Sequence, residues 1–594
     1  MFVCKDFPWQ LYVGKDYSVN NSLRAELDSS LNKQLDFIRI PLVHPRYSQH
    51  HNVKRIQPMT RSDSCLSSQQ WNNCIQGKCT SEIDPDHANP EIRAKWENVM
   101  MNEIRWGTHL GVNAIILTCP KGQNDNFARI LNQYLEKGFY YQKILIQVSN
   151  ASWEDWNSLR LKCGPSTALG VSLVIDSSLS PWEMQRWFGE PIHTIYLPRG
   201  VFINNKDGYP ILPKDLQVFV QSLFKLKSNV VIGPCRDPEQ IRGYVCYLFK
   251  NQPPLSQLQN FSFEFWDVSQ IPLQPLMHNL ESATYEIFEK DPVKYNLYEE
   301  AIYLALKDNP QFSIIMVVGA GRGPIVKAAL RASKRASRKT LVYALDKNPN
   351  AIVTLYNLLS KKYIGTEWIH ENVKVIESDM RYWNPEEKAD IIVSELLGSF
   401  GDNELEPECL ECAKRLLKDT GISIPSKSIN YIAPLSTQKN WTNAVTNHNS
   451  ADTPYVCMPA NAFIPVKSVK CFEFEYPSTN TNYNRFYKHS FSIEKPFTVH
   501  GFVGYFESIL YGNVIMSIKP ETHSEDMQSW FPMYFPIKQP IYCYGGNVDI
   551  AVWRCSSSEK VWYEWEVVFV KEGQMRANSG IHNTNGKSYW IGKT

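Results

Sequence analysis

Before residue 250 the chain alternates short β-branched and aliphatic runs with amphipathic stretches, and this rhythm narrows the possible folds more than any other feature. Six such runs are legible, at residues 37–43, 114–118, 143–148, 171–175, 192–197 and 229–232. Amphipathic patterns at 96–110, 126–137, 181–188, 214–226 and 238–250 lie between them. Each run predicts a strand and each pattern a crossover helix, so the region reads as βα units around a parallel sheet. Six or more units suit a closed TIM-type (β/α) barrel. An open doubly wound sheet satisfies the same periodicity.

Pro253, Pro254, Pro272 and Pro275 punctuate a stretch of weak periodicity, so a first domain at 1–252 is followed by a linker at 253–283. A second α/β pattern fills 284–426, with strands expected at 313–318, 340–345, 373–376 and 391–394. From 427 to 594, aromatic and β-branched residues alternate at 471–476, 497–506, 514–518, 548–553 and 561–570, which predicts an antiparallel barrel or sandwich. Hairpin turns are expected at Gly545-Gly546 and at Ser556 to Glu559. The polar segment Asn440 to Pro454 reads as an excursion from that barrel.

Composition excludes several classes of function. Among 594 residues, 62 Lys and Arg against 60 Asp and Glu leave a net charge of +2, too small for a chain that coats nucleic acid or an anionic membrane. The longest apolar runs, at 314–318 and 114–117, fall far short of the ~18 residues that span a bilayer. Lys5 and Asp6 interrupt the place where a secretory signal holds its apolar core, and the 14 cysteines are scattered, so a reduced, intracellular chain is expected. Cys409 and Cys412 form a CxxC with no second pair or His cluster nearby, and no metal is expected.

The strongest chemical signal is residues 313–333, SIIMVVGAGRGPIVKAALRAS, where an apolar strand runs into Gly319, Gly321 and Gly323 and then an Ala-rich helix. The spelling is GxGxG, one residue shorter than the GxGxxG dinucleotide fingerprint, and it points to S-adenosyl-L-methionine. Asp346 follows Gly321 by 25 residues, near the offset of a ribose-binding acid, although a helix cap is the plainer role for an Asp after a strand. In ESDM, Asp379 could receive an adenine amino group and Met380 could pack on the ring. Glu395 closes the next strand, ADIIVSE, and Glu404 lies nine residues on, past a glycine-containing loop, so two carboxylates can face one pocket. Asp402, Glu406 and Glu408 allow the plainer reading of Glu404 as part of a solvated acidic stretch.

VVGAGRG, ALDKNPNA, ESDM and SELLGSFGDNELEPECL, taken in order, resemble the protein arginine methyltransferases, and within them the type II branch that makes symmetric dimethylarginine. The resemblance continues through LESATYEIFEKDPVKY, SWFPMYFPIKQP and WRCSSSEKVWYEWEV, and upstream through HPRY, TRSD, RWFGEP and IPLQPLMHNLES, while residues 7–25 lie outside it. It implies an N-terminal TIM barrel, a central Rossmann-like methyltransferase sheet and a C-terminal antiparallel β-barrel carrying a dimerisation excursion. It implies a cofactor site formed by Tyr285, Lys294, Tyr295, Gly319, Gly321, Arg322, Asp346, Lys347, Asp379 and Met380. Glu395 and Glu404 would be the catalytic pair, Phe288 the ring that shapes the pocket for symmetric product, and Trp530 the ring against the substrate arginine. Asp346 departs from the family, where this acid is commonly Glu.

By the same resemblance the substrates would be Gly/Arg-rich proteins such as histones and Sm proteins, and the partners a WD40-propeller adaptor and further copies of the chain, as dimer or tetramer. Cytoplasm and nucleus would be the location, with no direct nucleic acid or membrane contact. Two competing readings remain: a dinucleotide-dependent dehydrogenase, against which the GxGxG spelling and the glutamate pair argue, and a non-catalytic scaffold built on the large first domain.

Overall fold

The computed structural model describes residues 7–17, 22–46, 62–136, 142–149, 152–176, 179–360, 372–446, 450–478 and 480–594. Met1 to Asp6, Tyr47 of HPRY, Thr60 and Arg61 of TRSD, Lys137 of one expected helix, and 447–449 of the expected excursion lie outside them. The chain forms two units, one of residues 1–255, 436–448 and 460–463, the other of residues 256–435, 449–459 and 464–594.

In the first unit, eight parallel strands among the described residues close into a barrel. They are Val13–Asp16, Phe37–Pro41, Ile75–Lys78, Ala114–Thr118, Lys143–Ser149, Leu169–Val174, Ile192–Leu197 and Asn229–Ile232. The first pairs with the last, Val13 opposite Val230, which decides the periodicity in favour of the TIM barrel. Val13–Asp16 and Ile75–Lys78 were not legible as strands, because the barrel interior is partly polar. Buried Arg39 donates to Gln76 Oε1 at 3.3 and 3.1 Å and to Gln147 Oε1 at 3.0 Å, while Asp16 accepts from Lys78 at 3.3 Å and from Tyr196 at 3.1 Å.

The polar segment read as an excursion from the β-rich region divides between the units. Its helix, Gln438–Thr446, belongs to the first unit, where Gln438 meets the buried Arg160. Nearby, Asn461 donates to the Glu190 carbonyl at 2.8 Å, and the Glu190 carboxylate accepts both Trp153 and Trp156 indoles at 2.9 Å.

The second unit opens on the short helix Gln257–Ser262 and then carries helices Ser282–Glu289 and Pro292–Asp308. Its parallel sheet has the order Val373–Glu377, Leu341–Asp346, Ile314–Val318, Ala389–Ser394, Leu417–Ile424 among the described residues. The central strands Ile314–Val318 and Ala389–Ser394 are buried along their whole length, which is why they read as continuous apolar runs. Helix Pro324–Arg335 packs its small stripe, Val326, Ala328, Ala329 and Ala332, inward, and Pro324 supplies the first turn.

Beyond this sheet lie two antiparallel sheets of six and five strands among the described residues. Strand Lys560–Lys571 alternates buried and half-buried positions, the pattern expected of a sheet with one covered face. Ser556 to Glu559 joins the paired strands Gly546–Ser556 and Lys560–Lys571. Gly545-Gly546 is not a hairpin turn. Met533–Cys543 pairs in the six-stranded sheet and Gly546–Ser556 in the five-stranded one, so the glycines carry the chain between sheets. Gly546 has φ +135° there, and a Cβ would come within 2.5 Å of the Val570 carbonyl oxygen.

Candidate active site

At the carboxyl ends of the parallel strands the second unit holds a cavity of about 580 Å³. This is where ligands of open α/β sheets bind, because the strand ends and the first turns of the following helices leave backbone groups free. Every residue singled out in the sequence as binding cofactor or substrate, or as catalytic, lines this one cavity.

One end is built by the glycine turn. Gly319 and Gly321 have φ +75° and +52°, in the left-handed region, and the Gly319 and Ala320 N–H groups both donate to the Leu345 carbonyl at 2.9 Å. A Cβ at Gly321 would lie 3.0 Å from the Tyr285 ring, so only glycine leaves this cradle open. Asp346 is buried and accepts from the Gly321 N–H and from the Asn348 N–H, each at 2.7 Å. Burial raises its carboxyl above the ordinary value, opposed by those two N–H groups. Asp346 is therefore not the helix cap. Asn348 caps Pro349–Leu359 and also donates to the Tyr285 hydroxyl at 3.1 Å.

Arg322 pairs with Glu289 at 3.0 Å and donates to the Ser282 hydroxyl at 3.1 Å. Lys347 lines the same rim. Met380 reaches the turn, its Cε 3.7 Å from where a Gly319 Cβ would stand. Asp379 is clasped by its own neighbour: Arg381 donates its main-chain N–H at 2.8 Å and its guanidinium at 2.6 to 3.1 Å. Burial raises the Asp379 carboxyl, but Arg381 outweighs it and holds the group below its ordinary value. Cys409 lines the cavity and, like Cys412, is buried; no group of three or more His, Cys, Asp or Glu able to hold a metal occurs among the described residues.

The other end is acidic and aromatic. Lys294, only 1% exposed, pairs with Glu395 at 3.3 Å. Its ammonium lies 4.9 Å from the ring centres of Tyr295 and Trp530 and 5.2 Å from that of Phe288. Burial and then the Glu395 charge push the Tyr295 phenol up. The Glu404 carboxyl is raised well above its ordinary value, first by burial and then by Glu395, with Lys294 opposing. Glu395 and Glu404 thus line this end of the cavity together with the Phe288, Tyr295 and Trp530 rings that surround the Lys294 ammonium.

Several residues that set this geometry escaped the sequence reading. Asp291 caps Pro292–Asp308 by accepting from the Val293 and Lys294 N–H groups at 3.0 and 3.4 Å, and with its other oxygen accepts from Gln528 and Ser529 at 2.9 and 2.7 Å. One carboxylate thus fixes both Lys294 and the strap that carries Trp530. The Asp-Pro pair at a helix start was the available signal. Trp530, at φ +65°, donates its indole N–H to the Leu397 carbonyl at 2.8 Å, tying the strap to the loop between the glutamates. Within that loop Gly398 and Gly401 exchange both main-chain bonds at 2.8 Å, and Asn403 accepts from the Phe400 N–H at 2.6 Å.

Similarity to known proteins extends along almost the whole chain. Residues 256–424 match the family described as PRMT5 arginine-N-methyltransferase, 34–251 the PRMT5 TIM barrel domain, and 427–591 the PRMT5 oligomerisation domain. The chain is 37% identical to protein arginine N-methyltransferase 5 of Xenopus laevis, over 98% of each chain. It is 38% identical to the protein of that name from Oryza sativa subsp. japonica, over 97% of each, and 34% identical to protein arginine N-methyltransferase skb1 of Schizosaccharomyces pombe, over 94% of this chain and 96% of that one. With its TIM barrel, methyltransferase sheet and antiparallel C-terminal sheets, the chain belongs to the PRMT5 arginine-N-methyltransferase family.

Proposed function

We propose that this protein transfers methyl groups from S-adenosyl-L-methionine to guanidinium nitrogens of arginines in Gly/Arg-rich proteins, histone tails and Sm proteins among them, forming monomethyl and then symmetric dimethylarginine. The observation that carries the reading is that Glu395 and Glu404 line one cavity with Phe288 and Trp530, and that this site already holds a cation between Glu395 and the rings. The match to an oligomerisation domain supports assembly with further copies of the chain, as dimer or tetramer. A WD40-propeller adaptor docked through the TIM barrel, and a location in cytoplasm and nucleus, belong to the same reading.

The residues present fit the cofactor. The turn at Gly319 and Gly321 leaves a cradle that a Cβ would fill, Asp346 is buried beside it, and the cavity volume suits a nucleoside with an amino-acid tail. Bound, the cofactor supplies an electrophilic methyl on a sulfonium. The chain must then solve the nucleophile problem, since guanidinium stays protonated below pH ~12 and spreads its lone pairs over three nitrogens. Glu395 and Glu404 grip the fork, orient one nitrogen and draw positive charge toward the others. The Glu395 and Glu404 pair takes the proton released as the nitrogen is methylated. Phe288 and Trp530 wall the site and exclude water around the guanidinium.

The test is transfer of radiolabelled methyl from S-adenosylmethionine to a Gly/Arg-rich peptide and to the same peptide with Lys for Arg. Label in the first alone is expected; equal labelling of both contradicts an arginine-specific site.

A further inference from the structure

We propose that Arg554, on a strand of the C-terminal five-stranded sheet, is a positioning residue for Glu404, so that this sheet is part of the catalytic apparatus of the reaction proposed above. Glu404 sits at the end of a loop whose neighbour Asp402 points away from the cavity into the protein and is fully buried. There Asp402 meets the Arg554 Nε in an ion pair, accepts from the Tyr563 hydroxyl at 2.7 Å and is reached by the Asn430 side-chain amide. The far side of the Arg554 guanidinium grips Glu408 bidentately, at 2.9 and 2.8 Å, and donates to the Tyr483 carbonyl at 3.2 Å.

One buried guanidinium therefore clamps the chain on both sides of Glu404, at 402 and at 408. A planar fork satisfies two carboxylates at fixed angles, which a flexible ammonium does not. The backbone between the clamped points is held in an unfavourable form: Leu405, immediately after Glu404, has φ +67°. Asn430 bonds both Asp402 and the Phe400 carbonyl, so a second strand of the C-terminal region supports the same loop. None of these groups lines the cavity apart from Glu404 itself, so the clamp acts on the reaction only through the carboxylate it orients.

The experiment compares Tyr563→Phe, Arg554→Lys and Arg554→Met with wild type in cofactor Kd, kcat and KM, and repeats each change in a Glu404→Gln background. Tyr563→Phe removes one hydroxyl from a packed ring and gives a folded protein even if Arg554→Met does not. The expected result is a cofactor Kd within about threefold of wild type, with kcat down about tenfold for Tyr563→Phe and about a hundredfold for the Arg554 changes. These losses should vanish where Glu404 is already Gln, because a clamp with nothing to position has no effect on kcat. Unchanged kcat in Tyr563→Phe and Arg554→Lys overturns the proposal, as do losses of equal size in the Glu404→Gln background. A wild-type protein that binds cofactor but methylates no arginine overturns the proposed reaction instead.

Discussion

Replacing Asp291 by Ala tests how the site is assembled, because one side chain accepts hydrogen bonds from both the start of helix Pro292–Asp308 and the strap that carries Trp530. The substitution removes the cap of helix Pro292–Asp308, a loss of about 1 kcal/mol. It also strips the acceptor from the Gln528 and Ser529 N–H groups, which are half-buried, at about 1 kcal/mol each, the low end for an unsatisfied donor. The total is about 3 kcal/mol, a fall in thermal midpoint of roughly 3–8 °C for a unit of this size. The strap carrying Trp530 then loses its anchor on the side opposite Leu397, and kcat/KM should drop by about 10- to 50-fold, or roughly 1.4–2.3 kcal/mol of transition-state stabilisation. Asp291→Asn retains an acceptor without the charge and should fall about midway. Scanning fluorimetry and peptide methylation read the two effects. An Asp291→Ala protein with the wild-type midpoint and kcat/KM within twofold would refute the shared-anchor reasoning.

Glu395→Gln and Glu404→Gln should each lose about 10²–10³ in kcat while cofactor affinity, measured by calorimetry, stays near wild type; full turnover in either breaks the pairing. Because the Glu404 carboxyl lies well above its ordinary value, kcat/KM should rise with pH along an acid limb as Glu404 loses its proton, and the limb should be absent from residual activity of Glu404→Gln. Glu406 is fully buried and pushed up to about 8, first by burial. The folded chain keeps a proton there that the unfolded chain releases above about pH 4.3, so stability is highest below that value and declines as pH rises through about 8, by roughly 5 kcal/mol at most. Glu406→Gln should flatten this part of the slope in thermal melts between pH 5 and 8, and an unaltered slope assigns it to other groups. Gly321→Ala places a methyl 3.0 Å from the Tyr285 ring at positive φ; about tenfold weaker cofactor binding is expected, against which an unchanged Kd would count.

What the sequence made legible follows from local chemistry. The strand at 314–318 is apolar because it is buried on both faces, and the glycines after it keep left-handed dihedrals, so strand, turn and helix were readable within twenty residues. The barrel strands Val13–Asp16 and Ile75–Lys78 escaped because their inward positions carry Asp16, Gln76 and Lys78, whose partners lie far away in sequence: Tyr196 and Lys78 for Asp16, and Arg39 for Gln76. Lys427–Leu435 was hidden for the same reason, since Ser428 and Asn430 point into buried polar networks. The catalytic, cofactor-binding and substrate residues were named from motifs and resemblance, whereas those that hold them in place, Asp291, Arg381, Asn403 and Arg554, act through long-range or turn-specific bonds that no periodicity encodes. Asp402 reads as a solvated acid among its neighbours until Arg554 and Tyr563 are brought to it by the C-terminal sheet.

The most direct test of the account is the identity of the product. Purified protein is incubated with S-adenosylmethionine and a Gly/Arg-rich peptide, the peptide is hydrolysed in acid, and symmetric and asymmetric dimethylarginine are separated by chromatography. The account predicts monomethylarginine followed by the symmetric isomer, made by wild type and lost in Glu395→Gln and Glu404→Gln. Asymmetric dimethylarginine would contradict the assignment of Phe288 and of the type II reaction, and undiminished product from the two Gln variants would contradict the catalytic pair itself.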